Sequence, residues 1–469
     1  MAILQKWVGY FIALAGGVLS ASAFLFGIYN APFTIPWYLF YLAAALIFFI
    51  PILGLHVKSI PFSIPDKWFL VTVALLFILS RVLWIAKIPT QPFSDFYYYD
   101  HLANILSTGK PILGNLGIGY EIMSWGYPFI LGIIYSIFGH SIWAAKIFNV
   151  IIGLCTLLVI FWIGRRVVDS GFAQGVTLLF LFWPSQLIMT SVLASEHLAL
   201  LVVVLSIGLI APALNSRGNT IRGAVLPGII IAFAVITRSA LWAFFLAVLI
   251  AIFLTKGIHK IIFAMLTSFV IAYAIYLGGV QIIYHQGPKP GLFDSLLKGT
   301  NIKSNGSWNE EDALSFLNSE TITQANQKAW REIVRRISED PLVEIKLAFR
   351  KPLLNWSNET YATIWSTSHL EDNCSGCWNN HLKNLWDLIS QTYHELILGF
   401  GAVGFYHLFR TPSKEWKAEI WMFTLYLIMG TAMHMVLESQ PRYHYVMEPA
   451  LMIIAAWGMR KSITRYRNC

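Results

Sequence analysis

The sequence predicts an all-α polytopic membrane protein with about twelve transmembrane helices. Two observations carry this prediction. Of 469 residues, 57% are hydrophobic and only 12% charged, with a mean hydropathy of +0.62; soluble domains carry about 25% charged residues. Apolar runs of about 20 residues also recur along the chain, long enough to cross a bilayer as helices. The runs are continuously apolar rather than alternating, which excludes a transmembrane β-barrel.

The predicted elements follow in order. Runs at 7–28 and 37–54 form a first pair of helices; the first is too long for a secretion signal and lacks a small-residue cleavage site, so it reads as a retained span. A run at 68–87 leads into a polar and aromatic stretch, 88–141. Six runs follow, at 142–163, 172–190, 192–211, 224–238, 239–255 and 261–283. Residues 285–387 are the one long polar region, with amphipathic helices expected at 322–337 and 341–356. Runs at 388–408, 418–437 and 444–459 complete the chain.

Charge placement orients these spans. With the N-terminus in the cytoplasm, Lys58, Lys67, Arg165, Arg166, Arg217, Arg222, Lys256, Lys260, Arg410, Lys414 and Lys417 all fall in cytoplasmic turns. Arg460, Lys461, Arg465 and Arg467 of the tail join them, which puts both termini inside. The net charge of +9 thus reports topology and contact with membrane lipids; no long basic block points to nucleic acid. Phe129–Phe138 is apolar, but a span there would invert the downstream charge pattern, so it reads as a helix at the interface. Four regions result: 1–67, two N-terminal helices; 68–284, a transmembrane core with outer loop 88–141; 285–387, a small extracytoplasmic domain; and 388–469, the C-terminal helices and tail.

The residues with chemical potential gather on the outer side. Phe93-Ser94-Asp95-Phe96-Tyr97-Tyr98-Tyr99-Asp100-His101 follows directly on a span. A carboxylate there is either a helix-start acid favoured by the helix dipole or a general base, with Tyr98 and Tyr99 walling a headgroup or sugar. Glu196 lies at the outer end of another span, where a carboxylate normally faces a cavity or a partner. Arg238 and Arg442 occupy outer turns in which positive charge is otherwise scarce. Each either snorkels to lipid headgroups or binds phosphate through its planar fork, and His444 beside Arg442 adds a donor. Lys110 is a weaker phosphate candidate of the same kind. Cys374 and Cys377 fit a disulfide in an oxidising compartment or, with flanking His and acidic residues, a zinc site. No nucleotide-binding loop or dinucleotide fingerprint is present. A divalent metal stays open, because Asp95, Glu196 and the outer His and Cys residues are all ligand types.

Several short motifs in this order resemble the GT-C glycosyltransferases, in particular bacterial relatives of protein O-mannosyltransferase and the lipid A aminoarabinose transferase. They are Ser94-Asp95-Phe96-Tyr97-Tyr98, Gly126-Tyr127-Pro128, Arg165-Arg166, Pro184, Ser195-Glu196, Asp340-Pro341 and Pro441-Arg442-Tyr443, spread over roughly 68–460. The resemblance implies a GT-C-like core and a polyprenyl-phosphate-linked sugar donor. It also implies inverting transfer to a glycan, lipid or protein acceptor at the periplasmic face of a bacterial inner membrane, with Asp95 as catalytic acid-base residue. One departure is notable: many relatives carry Asp-Glu where this chain has Asp95-Phe96, so the second acid's role passes to Asp100, Glu121 or Glu196. Two other classes stay open. An O-antigen ligase or polymerase would lean on Arg and His; a lipid-linked glycan flippase would place its acids and broken helices near the midplane.

Overall fold

A computed structural model describes residues 2–30, 65–215, 221–289, 291–370, 374 and 378–467. Among them every element is helical, apart from one isolated antiparallel bridge between Thr90 and Leu370. Seven helices are long and apolar enough to cross a membrane: Ile3–Ile28, Asp66–Lys87, Ile142–Val167, Ser195–Asn215, Ser239–Lys256, Lys260–Tyr284 and Ala418–Val436. Gly126–Phe138, Ser170–Leu181 and Arg222–Thr237 are shorter apolar helices. Two further long helices, Asn380–Arg410 and Glu448–Arg467, stand where runs 388–408 and 444–459 were expected. The chain is a multi-pass membrane protein, and seven helices among the described residues have the length and apolarity of a span. The run 37–54 lies outside the described residues.

One expected span is broken. The run 172–190 forms two helices, Ser170–Leu181 and Pro184–Met189. Pro184 cannot donate the N–H that would continue the first helix, so the chain turns and restarts with proline at a permitted first position. The break leaves carbonyls that need donors. Arg81, buried in the preceding span, supplies one: its Nη2 donates to Leu181 O at 2.9 Å, and its Nε donates to Gln186 Oε1 at 2.9 Å. Its guanidinium lies 3.9 Å from the Phe77 ring centroid. An ionised group inside the bundle is thereby fully partnered, as its burial demands.

The N-terminal helix Ala2–Asn30 packs along Asn380–Arg410, which in turn packs on Glu448–Arg467. The second contact is backbone to backbone: a Cβ at Gly458 would lie 2.3 Å from Gly404 Cα. Such small-residue contacts let helices associate without a hydrophobic driving force between them. Arg222–Thr237 packs between Ser195–Asn215 and Lys260–Tyr284, and Trp242–Lys256 packs on Ala418–Val436.

The outer elements build the platform for the site. Asp95–Leu106 is a helix packed on Gly126–Phe138. Helices at Ile322–Glu339 and Pro341–Trp356 match the two amphipathic segments expected from sequence. Thr321 caps the first by accepting from Gln324 N, and Asp340 caps the second by accepting from Val343 N. The segment before Asp95 is tied down on several sides. Thr90 Oγ1 donates to Ser366 O at 2.6 Å, Lys146 Nζ donates to Thr90 O at 2.8 Å, and Gln91 N donates to His369 O at 2.8 Å.

Candidate active site

Asp95 is the first residue of its helix, where the helix dipole favours a negative side chain. The residue before it, Ser94, adopts φ 52° and ψ −133°. A non-glycine residue at positive φ is strained by about 1–3 kcal/mol, and such strain persists only where its surroundings hold it. Here the hold is aromatic: Phe93 stacks on Trp365 at 5.4 Å and against His369 at 4.2 Å between ring centroids.

Asp95 Oδ2 accepts from Arg442 Nη2 at 2.5 Å. The two side chains differ in exposure: Asp95 is 48% exposed and Arg442 only 7%. Arg442 sits in the short 3₁₀ turn Pro441–His444, inside a box of rings. Its guanidinium carbon lies 4.6 Å from the Trp365 centroid and 5.5 Å from those of Phe96 and Tyr443. Such rings hold a cation without neutralising it. Arg442 Nε is buried with no hydrogen-bond partner, a donor left for something else.

A second pair lies beside the first. Arg238 Nη1 is 2.8 Å from Glu196 Oε1 and 3.4 Å from Ser195 Oγ. Its guanidinium carbon is 5.1 Å from the same Tyr443 ring that flanks Arg442. Tyr443 therefore stands between the two cations, and its hydroxyl donates to Glu438 Oε1 at 3.0 Å.

The electrostatics follow from this grouping. Burial alone would raise the Asp95 carboxyl; the charge and hydrogen bond of Arg442, with Lys298 and Arg238 farther off, outweigh it and hold the group below the ordinary carboxylate value. Tyr99 is pushed up to about 12 by burial and by the charges of Asp95 and Glu196, so it remains a neutral hydroxyl. Arg442 is raised, its burial overcome by Asp95, Tyr443 and Glu196. The cluster thus holds two carboxylates and two guanidiniums in alternating pairs.

The loop that presents Arg442 is docked on the outer helices. Glu438 N donates to Ser295 O at 2.8 Å and Ser439 N to Gly306 O at 2.9 Å. Lys351 Nζ donates to Gly299 O and Leu437 O, both at 2.9 Å. Lys298 Nζ bonds Asp294 at 2.7 Å and lies 3.7 Å from Glu438 Oε2.

Five of the sequence candidates meet here: Asp95, Glu196, Arg238, Arg442 and Tyr99. The others sit elsewhere. Asp100 is buried and faces away into the helix packing, accepting from Tyr135 Oη at 2.5 Å and contacting His140 Nε2 at 2.9 Å. Glu121 pairs with Lys289 at 2.6 Å, tying the first outer loop to the segment after Tyr284. Tyr98 lies on an exposed aromatic cluster, 4.9 Å from Tyr120 between centroids, with Tyr120 Oη 2.8 Å from His101 Nδ1. Lys110 is exposed in the turn after the helix, its backbone N–H donating to Thr108 Oγ1. His444 does not share the face of Arg442; its ring is fully buried against Asn355 O and Glu359. Cys374 is disulfide-bonded, and Cys377 lies outside the described residues.

Lys298 is not among the candidates read from sequence. Lys298 lies in an ordinary amphipathic helix, Leu292–Gly299, and meets the site only through the fold. Tyr443, read from sequence as a donor beside Arg442, lies next to both cations.

No protein-family model matches the chain, and no curated protein matches it. Solved structures are similar to it at low identity. The Archaeoglobus fulgidus oligosaccharyltransferase in its apo form is similar with TM-score 0.49 and 15% identity, over 86% of this chain and 51% of that chain. The same enzyme in complex with Zn and sulfate gives 0.47 and 15%, over 85% and 50%. ArnT from Cupriavidus metallidurans bound to undecaprenyl phosphate gives 0.36 and 12%, over 82% and 78%. The chain spans about half the length of the oligosaccharyltransferase structures it matches.

Proposed function

We propose that this protein is a membrane glycosyltransferase that moves a sugar from a polyprenyl-phosphate carrier to an extracytoplasmic acceptor. The observation that carries the reading is the Asp95–Arg442 pair: a half-exposed carboxylate held by a buried, ring-boxed guanidinium with a second guanidinium close by. A carboxylate base and two phosphate-matching cations at one rim are what sugar transfer from a phosphate leaving group needs. The acceptor is lipid A, O-antigen, another envelope glycan or a protein. The working face is the periplasmic side of a bacterial inner membrane, with both termini cytoplasmic.

The reaction runs as a single displacement. The donor phosphate enters the rim and draws Arg442, through its free Nε and its Nη groups, with Arg238 assisting. Asp95 is released from its cation, and its proton affinity rises. It then takes the proton from the acceptor hydroxyl as that oxygen forms its bond to the anomeric carbon. The bond from that carbon to the phosphate oxygen breaks, and the electron pair leaves with the polyprenyl phosphate. Attack from the face opposite the leaving group inverts the anomeric centre. A positioned base contributes roughly 10²–10⁴-fold, and each fixed donor on the developing negative charge about 3–4 kcal/mol. Tyr99 remains a neutral donor beside the base.

The test is direct. Purified full-length protein in liposomes receives a polyprenyl-phosphate sugar and candidate acceptors, and products are identified by mass spectrometry. Covalent sugar transfer with release of polyprenyl phosphate is expected. Movement of the intact lipid between leaflets with no covalent product would instead identify a flippase.

A further inference from the structure

Behind the rim, Glu359, His394, His444 and Glu448 are all fully buried. They come from four separate segments: the turn after Trp356, helix Asn380–Arg410, the Pro441–His444 turn, and the first residue of Glu448–Arg467. The two imidazole rings stack at 4.7 Å and 19°. His394 Nε2 lies 2.6 Å from Trp356 O, and His444 Nδ1 lies 2.7 Å from Asn355 O. A carbonyl only accepts, so each of these nitrogens carries the proton.

The other ring nitrogens face carboxylates. His394 Nδ1 is 3.1 Å from Glu448 Oε1 and 3.7 Å from Glu359 Oε2. His444 Nε2 is 2.6 Å from that same Glu359 Oε2. Glu359 Oε1 is already taken by the Trp183 indole N–H at 3.0 Å, whereas Glu448 Oε2 is buried without a partner. The facing atoms of Glu359, His394 and His444 all lie within 4.8 Å of one another. One carboxylate oxygen thus serves both rings, and His394 Nδ1 faces both carboxylates. His394 bonds Glu448 and His444 bonds Glu359, and the 3.7 Å approach of His394 Nδ1 to Glu359 Oε2 brings the two pairs together.

We propose that these four residues form a structural binding site for one divalent transition metal, with zinc the best match. The ligand atoms are His394 Nδ1, His444 Nε2 and Glu359 Oε2, and Glu448, 3.1 Å from His394 Nδ1, places a second negative charge beside them. Imidazole and carboxylate donors suit zinc, which binds them at about 2.0–2.2 Å. One dication balances two carboxylates, so the fully buried cluster is neutral, as burial requires. The carbonyl bonds to the far ring nitrogens are the outer-shell pattern that fixes the tautomer and aims the lone pair at a metal. The ion joins three segments, and one of them carries Arg442 two residues before His444. Its effect on the rim is through the position of that turn.

Metal content tests this without reference to sugar transfer. The full-length protein, expressed in zinc-supplemented medium, freed of any affinity tag and purified in detergent, is analysed by elemental mass spectrometry. One zinc per chain is expected. Asp95→Asn keeps it, and His394→Gln and His444→Gln each lose it. Chelation of the wild type lowers the melting temperature, and added Zn²⁺ restores it. Folded wild type with no transition metal, whose melting temperature added Zn²⁺ leaves unmoved, would overturn the site in favour of two protonated imidazoles. Zinc retained in both histidine variants would overturn it too, by placing the ion elsewhere. The wild-type arms decide the question even where a variant fails to fold.

Discussion

The carboxylate of Asp95 and the guanidinium of Arg442 meet at 2.5 Å although 347 residues separate them in sequence. The pair joins the first outer loop to the last one, and it is the point where the two ends of the fold share chemistry. Because Arg442 holds Asp95 below the usual carboxylate value, the base is weak until the guanidinium is drawn elsewhere. In the proposed reaction, donor phosphate and active base are thereby linked.

Arg442→Ala removes the main cation on Asp95 and, in the proposed reaction, a phosphate ligand together. The expected result is a loss of transfer by roughly 10²–10³-fold, with a raised KM for the phosphate donor. The acid limb of the rate–pH profile of the residual activity moves to higher pH, since the carboxyl is no longer held down. Arg442→Lys recovers charge but not the fork, and recovers only part of the rate. Steady-state kinetics across pH check this.

Asp100→Asn separates the two acids of the first loop. Asp100 bonds Tyr135 and His140 within the helix packing, not the rim. The variant should lose about 1–3 kcal/mol of stability while keeping turnover per folded molecule near wild type. Thermal denaturation in detergent, paired with transfer assays, reads both quantities.

Glu196→Gln leaves Arg238 at the rim without its carboxylate. Removing one member of a buried ion pair costs about 3–5 kcal/mol, so the melting temperature should fall. The double variant Glu196→Gln, Arg238→Met should regain part of that loss, because the unpaired charge is gone. A double-mutant cycle on melting temperature measures the coupling.

Lys351 gives a pH signature. Burial lowers it from 10.5 to about 8, against the opposing charges of Glu344 and Glu438. Between about pH 8 and 10.5 the unfolded chain binds the proton that the folded chain has released, so this residue's term makes stability rise with pH in that window. Lys351→Met removes that rise and also the bonds to Gly299 O and Leu437 O. Melting curves of both proteins from pH 7 to 10 show the difference.

Much of this arrangement is legible in the sequence. A polar acid directly after an apolar run marks a membrane edge, and Asp95 stands there at a helix start. Arg238 and Arg442 stood out as cations on the side poor in positive charge. The amphipathic segments 322–337 and 341–356 are visible in the sequence because amphipathic spacing is a local signal, and helices form over both. Other features depend on the third dimension. The run 172–190 reads as continuous, since hydropathy does not register the N–H missing at Pro184. His444 looked like a neighbour of Arg442, but in a 3₁₀ turn of three residues per turn, residues two apart point about 120° away from each other. Lys298 reaches the site only because the loop after Val436 docks on its helix, and nothing in its own segment announces that.

The central claim is that Asp95 takes the acceptor proton. The measurement that tests it most directly is the single-turnover rate of sugar transfer by Asp95→Asn, at saturating donor, in protein shown to be folded by its melting curve. The account predicts a fall of roughly 10²–10⁴-fold with polyprenyl-phosphate donor binding retained. A rate near wild type would contradict it.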